Sequence, residues 1–286
     1  MATSYHTPEQ RRKCAVLITG ASRGIGKSTS VYLSSLGYTV FGSVRSQSSF
    51  DELMASNNNN NNNGQGTTKG KIIPVKFDVT EDKEIEVAVG TIEKACKENG
   101  WDFIGIVNNA GINPEGAILN RLHLEKAGKR PENILSDSET VSKTLDTNVV
   151  GCFRVTRAFM PILKKEKGRI VLIGSYFGSI AGAVGLYHLA YESSKFALEG
   201  LADGLRRGLK KEGIKVSLIK PGNIETDMNE VAGESSVDVV SRDVLTALEA
   251  KNPKARYYPG LVKGIYCKVL CRFFALFPSW ITDKQL

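Results

Sequence analysis

Short apolar runs alternate with amphipathic segments along most of the chain, and that alternation restricts the fold more than any other feature. "CAVLIT" (14–19), "YTVFGSV" (38–44), "KIIPVKFDV" (71–79), "DFIGIVNNA" (102–110), "GRIVLIGS" (168–175) and "IKVSLIKPG" (214–222) each read as a strand. Their apolar residues are nearly continuous, as in strands buried on both faces. Helical patterns lie between them, such as "EIEVAVGTIEKACKENG" (84–100) and "KFALEGLADGLRRGLKKEG" (195–213), the second stopped at Gly213. The alternation predicts an α/β fold: a doubly wound parallel sheet between two layers of helices, three layers in one domain over 1–286. A chain of 286 residues is long enough to bury such a core.

Two stretches interrupt the pattern without ending it. The asparagine run 57–63, with the polar residues to 70, is low-complexity and predicts a loop. "NRLHLEKAGKRPENILSD" (120–137) reads as a polar surface insertion. Residues 170–191 lack Asp, Glu, Lys and Arg and by length alone resemble a membrane span. Their glycines, Ser175, Ser179 and His188 favour a buried strand followed by a Gly-rich loop. The N-terminus has no apolar run of the secretory kind, so no signal peptide is expected.

The formal net charge is +8, but the basic residues are scattered. That pattern suits a surface that attracts an anionic cofactor better than a nucleic-acid partner. The five cysteines form no CxxC pair and imply free thiols in a reducing, cytoplasmic setting. Cys267 and Cys271, four residues apart on a predicted helix, read as a core pair, and no metal is expected.

The glycine cluster "TGASRGIG" (19–26) sits where the first strand meets a helix. Gly20, Gly24 and Gly26 allow a tight turn, close backbone approach to a pyrophosphate, and helix–strand packing, while the helix N-terminus supplies free N–H groups. With Ser22, Arg23 and Ile25 these residues form the candidate cradle for a dinucleotide. NAD binders usually carry an acid at the end of the second strand for the ribose 2′-OH. Here the strand ends "GSVRS", and Arg45 with Arg23 offers two guanidiniums suited to a 2′-phosphate. NADP(H) is therefore the expected cofactor, with NAD(H) second.

These motifs, taken in order, resemble the short-chain dehydrogenase/reductase family over nearly the whole chain. "TGASRGIG" resembles its TGxxxGxG turn, "NNAG" (108–111) its fourth-strand motif and "YESSK" (191–195) its YxxxK, with Asn148 in "TNVVG", Ser175 and "PGNIET" (221–226) in family order. The resemblance implies a Rossmann fold and a catalytic set of Asn148, Ser175, Tyr191 and Lys195. Ser175 and Tyr191 would bind the substrate oxygen, with Tyr191 as general acid/base. Lys195 would hold the nicotinamide ribose and ease loss of the Tyr191 proton, and Asn148 would hold a water in the proton relay. Asp78 and Val79 would line the adenine, Asn109 and Ala110 the adenosine ribose side, and Pro221, Ile224 and Thr226 the nicotinamide. A lone phenol holds its proton too tightly for exchange at neutral pH, and an adjacent ammonium favours the phenolate.

"KNPKARYYPG" (251–260), "FPSWITD" (277–283) and "SKFALEGLADGLRR" (194–207) resemble the branch of retinol, 17β-hydroxysteroid and 3-hydroxybutyrate dehydrogenases. That likeness implies an apolar alcohol or ketone as substrate and a homodimer or homotetramer. The aromatic segment 261–277, within a C-terminal part spanning about 251–286, is expected to cover the pocket or meet a subunit, ahead of lying on an intracellular membrane surface. The stretch between Ser175 and Tyr191 exceeds the family's, which makes Ser179 a second choice for the hydroxyl. Tyr187 is a candidate to line the substrate entrance. His6, His123 and His188 read as surface or loop packing, with a place at the pocket border as the second reading for His188. The competing functions are a non-catalytic NADP(H) sensor, an NAD-dependent hydroxy-acid dehydrogenase and a sugar-nucleotide epimerase.

Overall fold

The computed structural model of the chain describes residues 6–53, 70–114, 137–181, 188–226 and 234–276. The asparagine run, Tyr187, His123, residues 277–286 and all but the last residue of the 120–137 stretch lie outside them. The first elements are α1 (Pro8–Arg12), β1 (Cys14–Ile18), α2 (Gly24–Ser35), β2 (Thr39–Val44), β3 (Lys71–Lys76), α3 (Asp82–Asn99) and β4 (Asp102–Asn108). They are followed by α4 (Ser138–Leu145), α5 (Gly151–Ala158), α6 (Met160–Glu166), β5 (Arg169–Ile173), α7 (Leu189–Gly208), β6 (Lys215–Ile219) and α8 (Asp238–Glu249). Three short strands, β7 (Arg256–Tyr257), β8 (Leu261–Val262) and β9 (Ile265–Tyr266), and a last helix, α9 (Cys267–Leu276), complete the set.

The main sheet has the order β3-β2-β1-β4-β5-β6-β7 and all its pairings are parallel. Its strands read as unbroken apolar runs because both faces are covered. Ala15 and Leu17 of β1 join the cluster under α3, α5, α6 and α7, whereas Val16 and Ile18 join the one under α2 and α8. The strand order reverses between β1 and β4, so a crevice opens beyond their C-terminal ends, where doubly wound folds bind ligands.

The structure departs from the sequence pattern in three places. β7 pairs Leu218 with Arg256 and Ile219 with Tyr257, a strand too short for any period to announce. Helix α7 starts at Leu189 and ends at Gly208, so "YESSK" lies within it and the turns at 209–213 lie beyond it. Between α4 and α5, Asp146–Val150 forms a π-helical turn rather than ordinary helix. Such turns interrupt α-helices where a side chain needs a particular aim, and this one carries Asn148.

At the opposite end of the sheet from the crevice, Glu249 at the end of α8 ties three elements together. It accepts from Arg11 Nε at 2.7 Å, from Arg11 Nη2 at 3.3 Å and from Tyr38 OH at 2.6 Å. Tyr38 is fully buried and Glu249 nearly so. Tyr38 OH also lies 3.2 Å from His6 Nδ1; Glu249→Ala would remove the carboxylate to which a partly buried guanidinium and a buried phenol both donate, and the expected loss is about 3–5 kcal/mol of stability. Urea unfolding of the variant measures it; a loss below about 1 kcal/mol would mean the cluster behaves as an exposed ion pair.

Candidate active site

The crevice has four walls, built from chain segments that the fold brings together. The first is the turn between β1 and α2. Gly20 has φ +66°, and a Cβ there would meet Ala110 Cα at 2.9 Å. The turn is pinned from both sides: Gly20 N–H donates to Ser43 Oγ at 3.0 Å, and Asn109 Nδ2 donates to the carbonyls of Thr19 at 2.9 Å and Gly20 at 3.1 Å. Thr19 Oγ1 in turn accepts from the backbone N–H groups of Asn109 and Ala110. Gly20, Ser22, Arg23, Gly24 and Ile25 line the crevice, whereas Gly26 lies beneath it. A Cβ on Gly26 would sit 2.2 Å from Gly20 O and 2.5 Å from Asn109 Nδ2.

The second wall is the end of β2 and β3. Val44, Arg45, Asp78 and Val79 line it, and both Arg23 and Arg45 are solvent-exposed on the same cleft. Asp78 is held by Thr80, whose N–H and hydroxyl both donate to Oδ1. The third is the 221–226 loop, with Pro221, Ile224 and Thr226 facing the cleft and the Thr226 side chain 3.6 Å from where a Gly24 Cβ would lie. Open glycine backbone at a helix N-terminus fits the pyrophosphate of a dinucleotide.

The fourth wall carries the chemistry. Tyr191 and Lys195 lie one turn apart on α7, with Lys195 Nζ 5.2 Å from the centre of the Tyr191 ring. Lys195 Nζ donates to Ile173 O at 3.1 Å, which anchors the ammonium at the end of β5. Ser175 follows that strand and accepts from Phe177 N–H at 3.2 Å. With a lone pair so engaged, its O–H remains to donate toward the cleft, which Ser175, Tyr191 and Lys195 all line. Ser179 is elsewhere: its hydroxyl meets Lys220 Nζ, whose other partner is Glu199. The longer approach to Tyr191 has thus not displaced Ser175 from the strand end.

Asn148 does not line the cleft. Its Nδ2 donates to Ile112 O at 2.9 Å and Ser194 Oγ at 3.0 Å, and its Oδ1 accepts from Ile112 N–H at 2.8 Å. Ser194 Oγ passes the chain of bonds to Tyr191 O at 2.6 Å. In this arrangement both amide protons are spent on protein partners, so Asn148 braces the segment after β4 against the turn of α7 that holds Tyr191. Asn109 is likewise spent largely on the glycine turn.

Sequence reasoning gave no role to several lining residues: Ile112, Asn113, Tyr176 and Phe177. For His188 the structure takes the second reading, at the pocket border, over surface or loop packing: the residue is 7% exposed and lines the cleft. It packs edge-on to Phe177 at 5.1 Å and against Tyr191 at 5.4 Å between ring centres. Burial pushes its pKa down to about 4, so it is neutral at physiological pH. The sequence signal was the spacing: His188 stands at the N-cap of α7, three residues before Tyr191. Helix α9 backs this wall, with Cys267 and Cys271 buried among Tyr176, Phe177, Ile180 and Val262. No helix among the described residues is long and apolar enough to cross a membrane.

The chain is similar to proteins already known. The family model for short chain dehydrogenase matches residues 14–236. D-beta-hydroxybutyrate dehydrogenase, mitochondrial, of Mus musculus is 29% identical over 312 residues, covering 94% of this chain and 82% of that protein. Retinol dehydrogenase 16 of Homo sapiens is 29% identical over 212 residues, covering 74% of this chain and 57% of that protein. Several relatives are much longer than the matched region, which spans between 49% and 59% of four of them. Among solved structures, NADPH-bound carbonyl reductase from chicken fatty liver superposes with a TM-score of 0.66 at 25% identity, covering 84% of this chain and 92% of that one.

Proposed function

The chain belongs to the short-chain dehydrogenase family, and on that premise we propose that it is an NADP(H)-dependent oxidoreductase interconverting an alcohol and a carbonyl on an apolar, lipid-like substrate. The observation that carries this reading is the convergence of Ser175, Tyr191 and Lys195 on one cleft, opposite the glycine turn and beside an aromatic wall of Tyr176 and Phe177. A nicotinamide bound there supplies or takes the hydride.

The residues of the chain do the rest. In the reducing direction Tyr191 gives its phenolic proton to the substrate oxygen as the carbonyl carbon gains hydride, and Ser175 O–H holds that oxygen in place. In the oxidising direction Tyr191 takes the hydroxyl proton. Lys195, anchored on Ile173 O, has N–H groups left for the ribose hydroxyls and places a positive charge beside the phenol. Asn148 acts as a positioning residue through Ile112 and Ser194. Tyr176, Phe177 and Ile112 keep water from the reacting carbon and favour apolar substrate. The relatives named for hydroxybutyrate and retinol both act at a hydroxyl-bearing carbon, which agrees with this chemistry.

The preference for the phosphorylated cofactor rests on Arg23 and Arg45. A charge-assisted bond to phosphate contributes about 1.5–3 kcal/mol, so loss of either arginine should weaken NADPH about tenfold or more. Fluorescence titration should give tighter NADPH than NADH binding in the unaltered protein, and Arg45→Ala should narrow the gap. Tighter NADH binding would overturn the cofactor assignment, and the absence of nicotinamide-dependent turnover on every apolar ketone and alcohol tried would overturn the activity.

A further inference from the structure

The loop 221–226 follows the end of β6 and needs support from outside the main sheet. It spans the cleft from the catalytic side to the glycine turn: Tyr176 N–H donates to Pro221 O at 3.0 Å, and the Thr226 side chain stands 3.6 Å from the place of a Gly24 Cβ. A dinucleotide with its pyrophosphate on that turn and its reacting ring beside Tyr191 runs its nicotinamide half along this loop. The loop backbone leans on the chain after β7. Gly222 N–H donates to Pro259 O at 2.9 Å and Asn223 N–H to Leu261 O at 2.8 Å. Leu261 is the first residue of the β8–β9 hairpin, so the hairpin carries the loop.

The hairpin is itself closed by two residues, Lys263 at φ +49° and Gly264 at φ +73°. Positive angles at both positions of a two-residue connection make a type I′ turn, and a lysine rarely adopts that conformation. Glu234 holds the turn from outside. Its Oε2 accepts from Gly264 N–H at 2.7 Å, and its Oε1 accepts from Lys263 N–H at 2.7 Å and from Asn223 Nδ2 at 2.8 Å. Its own N–H donates to Asn223 O at 3.0 Å. The Gly264 N–H, the Asn223 amide and the Lys263 N–H keep the carboxyl below its ordinary range, so it is ionised at physiological pH. Asn223 lines the cleft, whereas Glu234 is solvent-exposed and lies outside its lining.

We infer that Glu234 is a positioning residue for the cofactor: by clasping the hairpin turn to Asn223 it sets the nicotinamide side of the cleft before the dinucleotide arrives. The carboxylate joins donors from two separate parts of the chain, and charge-assisted bonds of this kind are stronger than neutral ones. Without it, Asn223 loses this side-chain partner and the turn loses the acceptor of both its N–H groups. The loop then has to be ordered by the cofactor itself, at the expense of affinity. Because the side chain is exposed, its removal should leave the fold standing. The inference rests on the oxidoreductase reading and adds what holds its cofactor wall in place.

The test titrates two ligands into the full chain: NADPH, and adenosine 2′,5′-bisphosphate, which carries the 2′-phosphate end but no nicotinamide. Glu234→Ala should weaken NADPH by about 3–10-fold, the effect of ordering a segment on binding, and leave the bisphosphate within about twofold of its original affinity. A general loosening of the fold would weaken both ligands alike, so the ratio of the two effects reports on the loop. Glu234→Gln keeps one acceptor oxygen and should lie between the alanine variant and the unaltered protein. Unchanged NADPH affinity in Glu234→Ala, or an equal weakening of both ligands, would overturn the inference and leave the oxidoreductase reading in place. An unaltered protein that did not bind NADPH would remove both.

Discussion

Tyr191→Phe is expected to lower kcat by about 10²–10⁴-fold while cofactor affinity stays within about twofold of the original. The substitution removes one oxygen and keeps the ring, which packs against Phe177 at 6.3 Å and His188 at 5.4 Å between centres. The wall of the cleft should therefore keep its shape, and Lys195 should keep its bond to Ile173 O. What disappears is the only proton carrier that the proposed mechanism places on the substrate oxygen. Ser175 can hold that oxygen, but its hydroxyl oxygen is already engaged by Phe177 N–H. A stopped-flow or steady-state assay with a parallel cofactor titration separates the two quantities. A variant with undiminished kcat would remove Tyr191 from the chemistry; one that lost cofactor binding instead would make the phenol a structural group.

Gly26→Ala should be nearly as damaging, through a different route. One methyl group would be placed 2.2 Å from Gly20 O and 2.5 Å from Asn109 Nδ2, distances no relaxed structure tolerates. Something must shift, and the neighbours are the turn itself and the side chain that pins it to β4. Overpacking of this kind costs about 1–3 kcal/mol of stability. The larger effect falls on the cofactor, because displacing a cradle by even an ångström can cost about 100-fold in function. Gly200→Ala gives the contrast: it lies exposed in α7 with nothing within 4 Å of an added Cβ. There the alanine should be neutral or stabilising by up to about 1 kcal/mol. Thermal unfolding and NADPH titration of both variants measure the difference. Equal cofactor affinity in the two would show that the close approach under the turn does not matter.

The strands, the glycine turn and the Tyr191–Lys195 pair were legible in the sequence because each depends on residues near one another along the chain. Continuous apolar runs reflect burial on both faces, and β1 through β6 lie within the predicted stretches. The turn requires glycine at fixed offsets between a strand and a helix. Tyr191 and Lys195 stack because four residues nearly complete a helical turn. The two residues of β7 were too few to leave a pattern, and the π-helical turn at 146–150 has no compositional signature of its own.

The sequence alone thus determined the fold class, the family and the outline of the cofactor cleft. The tertiary structure decided what each polar side chain in that cleft is free to do. Asn148 and Asn109 look like ligand-binding amides in the sequence, yet their hydrogen bonds are taken up by groups of the protein that only folding brings near: Ile112 and Ser194 for Asn148, Thr19 and Gly20 for Asn109. Ser175 was the first choice for the hydroxyl and Ser179 the second, and the fold separates them: Ser175, just after β5, lines the cleft, whereas Ser179 meets Lys220. Asn113 and His188 are 75 positions apart, and only the fold brings them within hydrogen-bond distance. The physical reason is that partnership and burial, which decide whether a polar group is satisfied, charged or available, arise between elements and not within them.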